Sequence, residues 1–65
     1  MNTNRLRDAF IVMMNEKMRH METLLDLSQS GLNFTFDDGR TIEDAIAEED
    51  RAICNLQSAI DRLMD

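Results

Sequence analysis

The chain has 65 residues, no proline, two glycines, one cysteine and a formal net charge of −6. At this length only about 60% of the unfolded surface can be buried, so disulfides, a metal or oligomerisation usually add stability. A single cysteine excludes an internal disulfide, and one cysteine with one histidine is too few for a closed zinc site. We therefore expect a homodimer without metal or cofactor.

The sequence carries no signal for membrane insertion or export. No apolar run approaches the roughly 18 residues of a membrane span. The first stretch, "MNTNRLRDAFIVMMNEK", lacks the long apolar core and small-residue cleavage site of a signal peptide. Because a free thiol without a targeting segment fits a reducing compartment, we predict a cytoplasmic protein.

The negative charge lies in the second half of the chain. Residues 1 to 29 are balanced, whereas residues 30 to 65 set three arginines against nine acids. Such acidity either solvates exposed helix faces or attracts a basic protein partner. The acidic candidates for a partner surface are Glu43, Asp44, Glu48 and Asp50.

A first amphipathic helix is predicted over about residues 4 to 29. Apolar residues recur there at intervals of three and four, in two neighbouring stripes that together span more than about 100°. Gly31 supplies the left-handed residue that commonly ends a helix. The predicted seam residues of this helix are Leu6, Phe10, Met14, Met18, Met21 and Leu25.

A second helix is predicted over about residues 42 to 64, where Ala-Ile occurs three times at intervals of seven: DAIAEED, RAICNLQ, SAIDRLM. This is the spacing of helices packed side by side. Ile53, in the middle, is expected to be fully buried, with Cys54 beside it as a small hydrophobe. The predicted seam residues are Ile46, Ile53, Leu56, Ile60 and Leu63, and Glu49 interrupts the seam.

The connection, residues 30 to 41, has the alternation of a strand rather than of a helix. Asp37-Asp38-Gly39 suits a three-residue turn with a left-handed glycine. A minimal β-hairpin, with Phe34 opposite Ile42, competes with an extended connection in which Thr41 caps the second helix. The rings of Phe34 and Phe36 either close the end of the helix pair or form an exposed apolar surface for a partner.

Together these elements predict a single all-α domain over residues 1 to 65, an antiparallel two-helix hairpin. One neighbouring helix cannot cover both stripes of the first helix and the flank of Ala45, Ala52 and Ala59 on the second. Exposed apolar surface of this extent usually marks an interface. Two hairpins related by a two-fold axis would bury it as a four-helix bundle.

No catalytic, cofactor or metal site is predicted, and we expect no enzyme activity. "FDDGRTIED" fails as a calcium loop, because Phe34 and Phe36 fall at the first and third ligand positions, and Ala45 at the twelfth, when Gly39 is placed sixth. Lys17 and His20 lie near Glu49 in an antiparallel pairing, which predicts an interhelical ion pair or hydrogen bond.

Two other functions remain open. The first helix carries four basic residues, which allows a regulator that binds nucleic acid, although they point in different directions around the helix. The acidic second helix allows a decoy that mimics nucleic acid. Neither is favoured over protein–protein contacts, because the chain has no helix-turn-helix spacing and its excess charge is negative.

The segments "TNRLRDAF" and "NFTFDDGRTIEDAIAEEDRAI" resemble the very small accessory proteins encoded between exo and xis in lambdoid phages and prophages. The resemblance covers most of the chain and rests on overall character rather than on one motif. It implies an early-expressed, non-enzymatic protein that biases phage development or host physiology through protein contacts. The resemblance assigns no functional residues to this chain.

Overall fold

A computed structural model describes residues 3–64 and shows two helices, α1 over Thr3–Gln29 and α2 over Ile42–Met64. The helices pack against each other along their length in an elongated molecule of 44 × 21 × 15 Å. The predicted helical hairpin is confirmed, and no strand occurs within residues 3–64.

The end of α1 is determined by local sequence. Gly31 adopts a φ of 78°, in the left-handed region that favours glycine. The last turn closes with hydrogen bonds from the Ser30 amide to the Asp26 carbonyl, at 3.0 Å, and from the Gly31 amide to the Ser28 carbonyl, at 3.2 Å. The predicted glycine stop is therefore present.

The connection is extended and holds one isolated antiparallel bridge, between Thr35 and Thr41. The Phe36 amide donates to the Arg40 carbonyl at 2.8 Å, and Gly39, with a φ of 88°, completes the predicted turn. The pairing does not extend into the strands of a β-hairpin, because the residue after Thr41 is already helical.

Thr41 and Asp44 cap the start of α2 reciprocally. The Asp44 amide donates to Thr41 Oγ1 at 3.2 Å, and the Thr41 amide donates to Asp44 Oδ2 at 3.0 Å. These bonds satisfy amide groups that have no partner within the helix. The Thr41 backbone amide, followed by its hydroxyl, holds the pKa of the Asp44 carboxyl below its usual value.

Burial between the helices is shallow. Ile42 and Ile60, each 4% exposed, are the only residues classed as buried in the described part of the chain. The expectation that Ile53 is fully buried is wrong, since its side chain is only partly buried. One neighbouring helix shields only part of its side chain, and the adjacent positions of the seam are occupied by the charged pair of Lys17 and Glu49 rather than by apolar side chains.

On α1 the seam lies slightly to one side of the prediction. Met18 and Leu25 are exposed, because Lys17 and Leu24 occupy the adjacent inward positions. The inward row contains Arg7, Lys17 and Ser28, so a search for apolar residues alone did not identify it. The partly covered residues of α1 are Leu6, Arg7, Phe10, Ile11, Met14, Lys17, Met21, Leu24 and Ser28.

The other seam predictions on α2 agree with its partly covered face. Its inward residues are Ile42, Ala45, Ile46, Glu49, Ala52, Ile53, Leu56, Ala59, Ile60 and Leu63. Cys54, which was expected to be a buried small hydrophobe, is exposed, because it lies one position beyond the inward row.

Candidate interaction surface

The hairpin has two broad sides that differ in chemistry. Each helix has one row of residues that immediately precede the seam positions in the sequence and another row that immediately follow them. In an antiparallel helix pair, the two preceding rows lie on one side of the hairpin and the two following rows lie on the other. Contacts in the structure agree with this assignment. Ser28 donates to Glu43 at 3.3 Å on one side, whereas Leu24, Leu27 and Ile42 line a common pocket on the other.

The first side, which we call the alanine face, joins the outer apolar row of α1 to the small residues of α2. It bears no formal charge, and its single titratable group is His20. Met13 on this face is 47% exposed, a large fraction for a long apolar side chain. The residues of the alanine face are Leu6, Met13, His20, Leu27, Ala45, Ala52 and Ala59.

The opposite side, which we call the mixed face, places apolar residues of α1 beside acidic and polar residues of α2. Met18 and Leu25, predicted as seam residues, lie here and are exposed. Self-association through this side would bury the carboxylates of Glu43 and Asp50 against a second copy, at a cost in free energy. The residues of the mixed face are Ile11, Met18, Leu25, Glu43, Asp50 and Gln57.

An apolar pocket of about 340 Å³ opens at the connection end of the hairpin. Phe34 is 59% exposed and packs edge-on against Phe36, with ring centroids 5.1 Å apart. The rings thus line a surface pocket rather than filling the space between the helices. The residues that line it are Leu24, Leu27, Leu32, Asn33, Phe34, Phe36 and Ile42.

Most of the acidic residues named as a partner surface already have partners within the chain. Glu43 accepts a hydrogen bond from Ser28, and Asp44 belongs to the cap of α2. Glu48 forms an ion pair with Arg40, whose guanidinium also lies 3.5 Å from Asp38. Asp44 and Glu48 therefore hold the connection against α2, and Glu43 joins α2 to α1, local roles that the sequence pattern did not reveal.

Lys17 and Glu49 meet across the seam, as predicted, with Lys17 Nζ 3.5 Å from Glu49 Oε1. The Glu49 side chain is only 18% exposed, and its second oxygen, Oε2, is buried without a hydrogen-bond partner. A second pocket, of about 310 Å³, lies beside this carboxylate and is lined by His20, Thr23, Leu24 and Glu49. His20 is thus next to Glu49, while the ion pair belongs to Lys17.

Of the four basic residues on α1, two are engaged by carboxylates. Arg7 lies 3.1 Å from Asp8, and Lys17 pairs with Glu49. Within residues 3–64, no three His, Cys, Asp or Glu side chains are grouped closely enough to hold a metal ion. Neither described helix is long and apolar enough to cross a membrane.

Sequence reasoning missed the two pockets and the division of the hairpin into two faces. The repeated Ala-Ile pairs did point to the alanine row, but not to the side of α1 that lies next to it. No protein-family model, curated protein or solved structure matches this chain.

Proposed function

We propose that this chain is a small, non-enzymatic regulatory protein of the cytoplasm that works as a homodimer and acts through protein–protein contacts. The observation that carries the proposal is the extent of apolar surface left uncovered by the two helices. Large apolar side chains more than about a third exposed occur on α1, on the connection and at the end of α2. Among them, Leu27, Leu32, Phe34 and Phe36 line one pocket at the connection, and an exposed apolar patch of this kind is typical of interaction sites.

The accessible area supports pairing of two chains. A monomer of 7.5 kDa is expected to expose about 4200 Å². This chain exposes 5085 Å², roughly 800 Å² more. About 800 Å² per partner is also the area that a standard protein–protein interface buries. A second copy would therefore bring the exposed area of each chain near the value typical of its mass.

The shallow core supports the same conclusion. A domain of this size needs most of its apolar surface out of water to offset the conformational entropy lost on folding. Burial of Ile42 and Ile60, with partial burial of the other seam residues, provides only part of that stabilisation. A four-helix bundle of two hairpins would add a second apolar contact along both helices.

The regulatory role is proposed from the resemblance to accessory proteins of the exo–xis region of lambdoid phages, which implies a phage or prophage factor. Within the chain, the engaged side chains of Arg7 and Lys17 make a nucleic-acid surface on α1 less favourable. The engaged carboxylates of Glu43, Asp44 and Glu48 likewise weaken the proposal of an acidic decoy.

The proposal is tested by affinity capture with the tagged chain from infected or lysogenic cells, with and without nuclease. Phe34→Ser is a suitable variant, because the ring is exposed and lies outside both helices. Val12→Ser, on the outer surface of α1, is the matched control. We expect the same captured protein with wild type and control, less with Phe34→Ser, and no effect of nuclease. Capture that disappears with nuclease would instead indicate nucleic-acid binding.

A further inference from the structure

We infer that the second copy docks on the alanine face in an antiparallel orientation, with a two-fold axis passing beside Ala52. We call this arrangement head to tail, because the connection of each copy lies at the open end of the other. The inference rests on the proposed dimer and specifies its geometry. Two hairpins stacked through one face have two symmetric arrangements. Either both connections lie at the same end, or they lie at opposite ends. Spacing along the helices, charge and the position of the apolar pocket all favour opposite ends.

The spacing of residues on α2 is symmetric about Ala52. Ala45 and Ala59 are each seven residues from it, so a head-to-tail partner places Ala52 on Ala52 and Ala45 on Ala59 of the second copy. Small residues at intervals of seven let two helices approach toward the short end of the usual interaxial range, about 8–10 Å. With connections at the same end, the alanines would face α1 of the second copy instead.

The outer row of α1 has the same symmetry. Its residues are Leu6, Met13, His20 and Leu27, and their centre lies midway between Met13 and His20. A head-to-tail partner therefore sets Leu6 against Leu27 of the second copy. It also sets Met13 against His20 of the second copy, which places an imidazole beside a polarizable thioether.

These two centres lie at nearly the same level of the hairpin. The levels are compared by counting residues along the two antiparallel helices from a contact between them. Counted from the contact of Lys17 with Glu49, the centre of the α1 row lies level with a point slightly before Ala52 on α2. Counted from the contact of Ser28 with Glu43, the same centre lies level with a point slightly after Ala52. A single two-fold axis can therefore relate both rows to their copies in the second chain. The packing of a lone hairpin does not require the two centres to lie at the same level.

The pocket at the connection would then have a defined occupant. Leu27 lines this pocket and is the residue that meets Leu6 of the second copy. Leu6 would place an apolar side chain in part of this 340 Å³ opening, next to the rings of Phe34 and Phe36. Each dimer would hold two such contacts, one at either end.

Charge favours the same arrangement. The open end of the hairpin, opposite the connection, bears three arginines and is close to neutral, whereas the connection end is strongly negative. Head-to-tail docking places unlike ends together, and the alternative places two negative ends together. The charged residues of the open end include Arg5, Arg7, Asp8, Asp61 and Arg62, and those of the connection end are Asp37, Asp38, Arg40, Glu43 and Asp44.

Cysteine cross-linking of the full chain tests this geometry. In a Cys54→Ser background, Ala52→Cys places two thiols across the axis, and a glutathione redox buffer should give a disulfide-linked dimer. Ala45→Cys and Ala59→Cys should each fail alone and cross-link when the two proteins are mixed. Ala47→Cys, exposed on the outer surface of α2, is the matched control and should stay monomeric on a non-reducing gel.

The possible results separate the geometry from the dimer. Cross-linking of Ala52→Cys well above Ala47→Cys, together with the mixed pair, supports the head-to-tail arrangement. A dimer by light scattering that cross-links at Ala52→Cys no more than at Ala47→Cys overturns the arrangement and leaves the dimer standing. A monomer by light scattering, with equal slow oxidation at every position, overturns both. Circular dichroism of each variant checks that the helices are retained.

Discussion

Replacing Glu49 by leucine should make the protein more stable, although it removes an ion pair. The Glu49 side chain is 18% exposed and lies in a row that is otherwise isoleucine and leucine. Burying most of a leucine there contributes about 1.5–2.5 kcal/mol. Removing the buried, unpartnered Oε2 relieves a further cost of about 1 kcal/mol or more.

The stabilisation lost with the ion pair between Lys17 and Glu49 is small. The Lys17 side chain is 37% exposed, so its ion pair is screened by water and contributes less than about 1 kcal/mol. Lys17 can also extend its ammonium group into solvent once Glu49 is gone. We therefore expect Glu49→Leu to stabilise the fold by about 2 kcal/mol, which for a chain of this size corresponds to a rise in Tm of roughly 10 °C.

Thermal and urea unfolding, followed by circular dichroism at one fixed protein concentration, measure this effect. Lys17→Met is the matched variant, since it leaves the Glu49 carboxylate without its counter-ion and should lower the Tm. Equal or lower stability of Glu49→Leu would refute the reasoning. It would point to a partner for Glu49 Oε2 in solution, such as a group of a second copy in the proposed dimer.

Three further changes test the fold. Ile60→Ala, at a residue 4% exposed, should cost about 2–4 kcal/mol in urea unfolding, and a change below 1 kcal/mol would argue against tight packing there. Gly39→Ala should cost about 1–2 kcal/mol from its φ of 88° alone, because no atom lies within 4 Å of the added Cβ. Gly39→Asn should recover part of this cost, and equal losses for both would contradict the backbone explanation. Thr41→Ala should cost about 1 kcal/mol through the cap of α2. Because the pKa of Asp44 is lowered in the folded chain, its contribution is present above about pH 4 and is lost as pH falls through the lowered pKa. Melting curves between pH 2 and 7 should show a smaller acid loss for Thr41→Ala than for wild type.

Local signals in the sequence sufficed for the two helices and their ends. Gly31 and the pair of Thr41 and Asp44 act through their own backbone neighbours, so short-range reasoning identifies them. The heptad spacing of isoleucine likewise specifies the inward face of α2, because this spacing lies entirely within α2 and does not depend on the other helix.

Features that depend on both helices were not predictable in the same way. Lys17 takes an inward position opposite Glu49 on the other helix, and Met18 and Leu25 point outward. The burial of Ile53 depends on how much of its side chain one neighbour covers. The alanine face and the pocket at the connection arise from the rotation of α1 relative to α2, which no single segment encodes.

The most direct measurement of the central claim, that two chains pair through exposed apolar surface, is the molar mass in solution. Size exclusion coupled to light scattering gives that mass independently of shape, which matters because the radius of gyration is 14.5 Å, against about 11 Å for a compact chain of this length. At micromolar concentration we predict twice the 7.5 kDa chain mass. Pairing also predicts that the Tm falls by about 10 °C on hundredfold dilution. A mass of 7.5 kDa, with a cooperative transition at the same temperature across that dilution, would contradict the account.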